Sequence, residues 1–346
     1  MKLFNNVLVY RFTAVPEWVV SGLPQSDLEK YASRDPFSSQ LSHLGFVEPA
    51  GSEGVYAEKL DVWDPQSGDH YRGQLLQLRN IERHIPAKAV RRAVDSEVQR
   101  IENTEQRKVY GSEKQRIKET VLDRMIPNAF LVSSDMNMLI CYPYIFIDQT
   151  SRSKADAALS LLRDVTGELP VTPLHTQMPP DTQMTVWATQ RHIDCPYLQF
   201  GNLFKCEDVF EKGSTLSGQN LDLSESDCDS ELLQELSQGR MVTELGLTLS
   251  DPLNKYRTDF VLTNGKGFKA IKWPVEFHQR ALDEVGEDSS KADAHIASVT
   301  LVMHGLMYLT NTVVSALGGV RLNNFESDPG NTTDESLSEQ AEDDLI

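Results

Sequence analysis

Asp61, Asp64, Asp69 and His70 stand within ten positions of one another and are residue types that hold divalent metal ions. Two-metal phosphodiester cleavage needs carboxylates converging on ions about 4 Å apart, so the cluster admits a metal-dependent exonuclease. The same segment contains Pro65, Ser67 and Gly68, which mark a surface turn, and the turn is the reading the residue types favour. A second chemistry is written in the cations. Eleven of the 33 Lys and Arg residues lie between Arg83 and Arg124, against seven acids, inside a chain of net charge −18. A chain this acidic repels polyanions. A basic run on a helical pattern therefore marks a surface for one class of partner, nucleic acid first, with a solvated helix face as the plain alternative. A further patch, Lys255, Arg257, Lys266, Lys269, Lys272 and Arg280, is opposed only by Asp259 and Glu276. Phosphate recognition asks for long cationic side chains along a track and no base-edge geometry.

The elements that would carry these residues are legible from periodicity. Val7 to Phe12 alternates as a strand, as do the stretch from Gly54 to Leu60 and that from Gln74 to Leu78; a short helix-like stretch lies within Ser26 to Leu44. After Pro86, the residues Val90, Val94, Val98 and Ile101 recur at helical spacing. Gly111 reads as the stop of that helix, and Ser112 with Gln115 as a capping box opening a second one, which ends at Pro127. The basic run is thus a helix-break-helix unit over residues 83–126. Met138 to Ile147 reads as strand, Lys154 to Val165 as a helix with an Ala158, Leu161, Leu162, Val165 face, and Thr182 to Trp187 as a strand, followed by irregular chain to Phe204. Arg240 to Leu249, Tyr256 to Leu262 and Phe268 to Trp273 read as successive strands, the last two joined by an Asn264-Gly265 turn. The pattern is α+β, without regular βαβ repeats.

Length and composition set the limits. At 346 residues and 40% hydrophobic content the chain buries a large core. Ile296 to Leu317 contains 22 residues without a formal charge, long enough for a membrane span. Its apolar residues instead form a stripe at three- and four-residue steps, which predicts a helix buried against a sheet or a second subunit, with His304 packed and Gly318 and Gly319 ending the helix. The four cysteines form no CxxC pair and the opening residues lack a signal peptide's apolar core, so the expectation is a cytoplasmic protein with reduced thiols and no membrane. Residues 207–239 form an acidic insertion region. Beyond Arg321 there are eight acids and no bases, which predicts a disordered acidic tail over 321–346.

Several segments in order resemble the RdgC family: LFNNVLVYRF at the start, LSHLGFVEP, IPAKAVRRAVDSEVQRIENTEQRK leading to MIPNAF, ADAALSLLRDVTGELPVTPL, GRMVTELGL, FKAIKW and the closing GLMYLTNTVVSALGG. The resemblance runs from residue 1 to about 320. It implies a horseshoe-shaped α+β subunit with mixed or antiparallel sheets, two of which close into a ring-shaped homodimer around a basic hole. It further implies a nucleoid-associated protein that binds double-stranded DNA without sequence preference and restrains the RecA recombinase. It carries over no catalytic residue, metal or cofactor. Matching positions for DNA contact are Arg91, Arg100, Arg107, Lys108, Lys114 and Lys118 on the helix pair, Lys269 and Lys272 on a later strand, and Gln219 in a finger-like segment. Phe130 matches an aromatic near a subunit contact. The departures are Tyr110 and Gly111, where the family tends to carry lysines, and Gly218, which replaces a base beside Gln219. A protein-only RecA regulator, working through the acidic insertion and tail, is the remaining alternative.

Overall fold

The computed structural model describes residues 3–49, 54–63, 70–208, 215–219, 236, 239–250, 256–265, 267–276, 279 and 291–321. Asp64, Asp69, Lys255, Lys266, Arg280, most of the acidic insertion and the acidic tail lie outside them.

Twelve strands join one large sheet: β1 (Val7–Phe12), β2 (Ser42–Val47), β3 (Ala57–Trp63), β4 (His70–His84), β5 (Phe130–Cys141), β6 (Tyr144–Asp148), β7 (Val171–Pro173), β8 (Leu198–Asp208), β9 (Thr215–Gln219), β10 (Arg240–Ser250), β11 (Arg257–Thr263) and β12 (Gly267–Lys272). The order along the sheet is β2-β4-β5-β6-β1-β12-β11-β10-β8-β9, with β3 also on β4 and β7 also on β1. All these ladders are antiparallel. The helices are α1 (Glu17–Ser21), α2 (Gln25–Glu29), α3 (Ala87–Glu105), α4 (Gly111–Met125), α5 (Arg152–Thr166), α6 (Pro180–Gln190) and α7 (Lys291–Ala316). The α+β expectation holds.

The two faces of the sheet bury different residue sets. On β1, Val7 and Val9 join a cluster with Phe268 of β12 and with Val302, Met303 and Leu306 of α7. The alternating Leu8, Tyr10 and Phe12 join a second cluster with Ala155, Leu159 and Leu162 of α5. A period of two on a strand thereby serves two layers at once. α7 is apolar and long enough to cross a membrane by length and composition, yet 61% of its most apolar window is buried inside the protein. It lies close to β4 because Gly73 presents no Cβ where Met303 Sδ sits. His304 stacks at a tilt against Tyr71, 5.9 Å between ring centroids.

The α5 layer covers only part of its face. The face that carries Leu8 on β1 continues across β12, β11, β10 and β8 as a polar surface, while the opposite faces of those strands hold Phe268, Phe260, Leu262, Leu245 and Leu247 in the α7-side cluster.

Register also sets the outline at one end. β5 pairs with β6 only over Met138 to Cys141, so its eight residues from Phe130 to Asn137 run on past the end of β6, paired on the other side with β4. On the far side of β6 and β1, β12 begins opposite Val7 and continues to Lys272 beyond the start of β1. Two extensions therefore rise from a base formed by β6 and β1.

Three local expectations are corrected. Thr182 to Trp187 is part of α6, not a strand: Pro180 occupies its first turn, Asp181 favours the helix N-terminus, and Met184, Trp187 and Ala188 are buried at helical spacing. The chain before Phe204 is strand from Leu198 on. Gly111 begins α4 rather than ending α3, Tyr110 is the residue at its N-cap, and no side chain caps it, so the Ser112–Gln115 capping box does not form. Gln115 instead donates to Glu119 at 3.2 Å.

Candidate nucleic-acid interface

The helix pair grows from the far end of the β4-β5 ribbon, where His84 pairs with Phe130. Val90 and Val94 of α3 meet Ile117 and Val121 of α4 in a small core of their own, ringed by Val98, Ile101, Val109, Leu122 and Met125. The polar positions of both helices are consequently exposed. At about 1.5 Å per residue, the 19 residues of α3 carry the chain roughly 28 Å from the ribbon before it turns back.

Arg83, counted among the bases of this run, does not face solvent as a free charge. Its guanidinium donates to the carbonyls of Pro36 (3.1 Å), Phe37 (3.5 Å), Gln40 (3.2 Å) and Pro127 (3.4 Å). It ties the chain before β2 to the exit of the helix pair and fixes the pair at its base.

The six helix-pair candidates divide by their partners. Arg100 binds Glu97 at 2.7 Å. Arg107, at the tip, is gripped by Glu105 and Glu113, each at 2.6 Å. Hydrogen bonding to Glu113 and then Glu105 raises the Arg107 pKa, while Glu97 and Glu113 are held below the ordinary carboxylate range by Arg100 and Arg107 respectively. Lys114 reaches across to Asp95 of α3 at 3.4 Å. Arg91, Lys108 and Lys118 are exposed and have no carboxylate partner among the described residues. Tyr110 stands 74% exposed beside Lys108 at the tip.

Lys269 and Lys272 share β12 but are three residues apart, which in a regular strand would point them to opposite faces. The backbone resolves this with a bulge. Lys269 lies opposite Val261 and Lys272 opposite Asp259, with the irregularity taken up at Ala270, whose φ is +50°. Both lysines therefore emerge on the polar face. Lys269 binds Glu244 at 2.8 Å and Lys272 lies 3.7 Å from Asp259. Lys205 of β8, opposite Glu244, and Arg257 of β11 join the same face. Lys205 binds Glu207 at 2.9 Å and Arg257 donates to Gln199 at 2.9 Å. Sequence reasoning missed Lys205, because only cross-strand register brings it beside residues so far along the chain.

Gln219 is the last residue of β9, opposite Leu203. Phe130 opens β5 and is 83% exposed, next to Leu131 and Val132 at 42% and 46%; it is not a core residue. The two sets of bases occupy separate elements, the protruding helix pair and the polar sheet face, with β6 and β1 between β5 and β12.

Of the acidic cluster, Asp61 and His70 are diagonal neighbours across the β3-β4 pair and hydrogen-bond, and Arg72, directly opposite Asp61, lies 3.9 Å from its other oxygen. The arrangement is an exposed ion-pair group beside Trp63, whose ring packs edge-on against His70.

Comparison with known proteins finds matches over nearly the whole length of the chain. A family model described as "Putative exonuclease, RdgC" matches residues 2–320. The recombination-associated protein RdgC of Pseudomonas aeruginosa is 31% identical over 321 residues, covering 91% of this chain and 97% of that protein. Its namesake in Pseudomonas fluorescens is 32% identical over the same shares, and that of Shewanella sediminis is 28% identical over 92% of this chain and 98% of its own. The match spans the strands, the helix pair and the closing helix together, and the chain belongs to the RdgC family of recombination-associated proteins.

Proposed function

We propose that this protein binds double-stranded DNA without sequence preference, as a ring-shaped homodimer of horseshoe-shaped subunits, and that by occupying duplex it restrains RecA-dependent recombination. The observation that carries the reading is the pair of extensions rising beyond β6 and β1, one bearing the basic helix pair and the other the β12 lysines. Cations on both arms of an open subunit are what a duplex passing between them requires, since phosphate contacts position a protein without reading bases. Phe130, with Leu131 and Val132 beside it, supplies exposed apolar surface for the subunit contact. The reading needs no catalytic residue, metal or cofactor, and locates the protein on the nucleoid in the cytoplasm, away from membranes.

The test is binding to duplexes of unrelated sequence across a salt series. Equal affinities are expected, with a slope of log affinity on log salt near −5 if about six phosphates are neutralised, and a loss of about three orders of magnitude between 50 and 200 mM salt. Strong preference for one sequence, or no binding at low salt, overturns it. A protein that binds RecA but no duplex would instead be a protein-only regulator.

The second reading, a metal-dependent exonuclease, is favoured by the wording of the family description and by the Asp61–His70 pair. Incubating end-labelled duplex with the protein and Mg²⁺ or Mn²⁺ separates the two. Intact duplex supports binding alone, whereas degradation abolished by Asp61→Asn or Asp64→Ala would make the protein an enzyme.

A further inference from the structure

The basic residues of the helix pair do not form one stripe. Arg91 and Arg100 are nine residues apart, and at 3.6 residues per turn nine residues make two and a half turns, which sets them about 180° apart around α3. Val90, Val94 and Ile101 face α4, so Arg91 lies on one flank of the pair with Asp95, and Arg100 lies on the other with Glu97. The Asp95–Lys114 ion pair fixes which side of α4 belongs to the first flank. Since α4 runs antiparallel to α3, stepping back one turn from Asp95 reaches Arg91 while stepping forward one turn from Lys114 reaches Lys118. Arg91 and Lys118 thus oppose each other across the same flank, and Lys88 stands a turn before Arg91 at its rim.

On the opposite flank and at the tip, Arg100 and Arg107 are held in ion pairs, Arg100 by Glu97 and Arg107 by Glu105 and Glu113. Glu97 is held ionised by its hydrogen bond from Arg100, with the charge of Arg124 adding to it; Glu113 is held by Arg107, with Arg116 adding. Arg107 also takes Glu105. Two arginines hold three carboxylates there. For a phosphate to take Arg100 or Arg107, it must displace a charge-assisted bond and leave a carboxylate facing its own negative charge. On the first flank the acids are otherwise engaged: Asp95 pairs with Lys114, and Glu102 accepts the backbone N–H of Val109 at 3.1 Å.

We propose that, along its length, the helix pair meets the phosphate backbone of a duplex through the flank that carries Lys88, Arg91 and Lys118, where Lys114 is pinned to Asp95, and that the ion-paired Arg100 and Arg107 stiffen the arm. This rests on the DNA-binding reading above and says which side of the arm faces the duplex. It also removes Arg100 and Arg107 from the contact set that family resemblance implies.

The experiment compares two double variants with the unmodified protein, by fluorescence anisotropy on a labelled duplex from 50 to 200 mM salt. Arg91→Gln with Lys118→Gln is expected to weaken binding at 50 mM salt on the order of ten-fold and to flatten the salt slope by about 1.8, two contacts at about 0.9 each. Arg100→Gln with Arg107→Gln is expected to change affinity less than two-fold, leave the slope unchanged and lower the thermal midpoint. A flattened slope in the second variant with a normal slope in the first, or equal flattening in both, overturns the assignment while leaving DNA binding intact. If the unmodified protein binds no duplex at 50 mM salt, the DNA-binding reading falls and this inference with it.

Discussion

Arg83 shows why a count of charges overstates a binding surface. It contributes to the basic run as a sequence sees it, yet its guanidinium is spent on the carbonyls of Pro36, Phe37, Gln40 and Pro127 at the root of the helix pair. Lysine is not an equivalent there, since a single ammonium lacks the planar fork that reaches carbonyls on both sides of the chain. Arg83→Ala is expected to cost about 1–3 kcal/mol of stability, because the hydrogen bonds of one charged donor to four carbonyls, that to Pro36 part-buried, are lost together. Its salt slope for duplex should match that of the unmodified protein. Chemical denaturation and the salt titration check the two halves, and a flattened slope would mean that Arg83 touches phosphate after all. The same residue-scale lesson applies to Lys269 and Lys272. Their types were legible as candidates, but their shared face depends on a bulge at Ala270, and alanine at positive φ leaves no signal in composition or periodicity.

The elements that were easiest to read are those buried on one side or both. β1, α3 and α5 alternate or recur cleanly because each apolar position meets a defined layer. Two elements were not legible for opposite reasons. Thr182 to Trp187 alternates like a strand by accident of Thr and Gln placement, while the stronger signals, Pro180 with Asp181 and the Met184, Trp187, Ala188 spacing, belong to a helix. The first half of β5 has no alternation, since Phe130 to Asp135 are exposed on both faces and only β4 holds them in place. The helix pair carries its own prediction. Its core is four buried residues that join neither large cluster, so its stability is local. Ile117→Ala should remove about 2–4 kcal/mol from the arm alone. Hydrogen exchange is the measurement: amides of residues 87–125 should lose protection while those of β1, β6 and α7 keep theirs. Loss of protection across the whole sheet would show that the arm and the body unfold as one unit.

At the scale of the whole molecule, net charge and oligomeric state act together. A chain of net charge −18 pushes duplex away from most of its surface, and Arg100, Arg107 and Lys114 on one arm and Lys269 and Lys272 on the other are paired with carboxylates. Contacts of that kind are weak at moderate salt, so an open patch would release DNA readily. Enclosure changes the outcome, because a closed ring needs only to remain closed, whereas a clamp that relies on contact must hold on. The difference is measurable with one substitution at the exposed apolar end of β5. Phe130→Asp places a charge where the proposed subunit contact would bury an aromatic ring, which costs binding free energy of several kcal/mol when the group stays desolvated. The unmodified protein should sediment as a dimer and, loaded at low salt, should remain on a relaxed circular plasmid after a challenge at 500 mM salt, while leaving the same plasmid once it is linearised. Phe130→Asp should sediment as a monomer, bind linear duplex at 50 mM salt with its phosphate contacts intact, and leave circles and linear molecules alike at high salt. Retention on circles by the monomeric variant, or equal release of the unmodified dimer from circles and linear DNA, would mean that DNA is held by contact and not by enclosure.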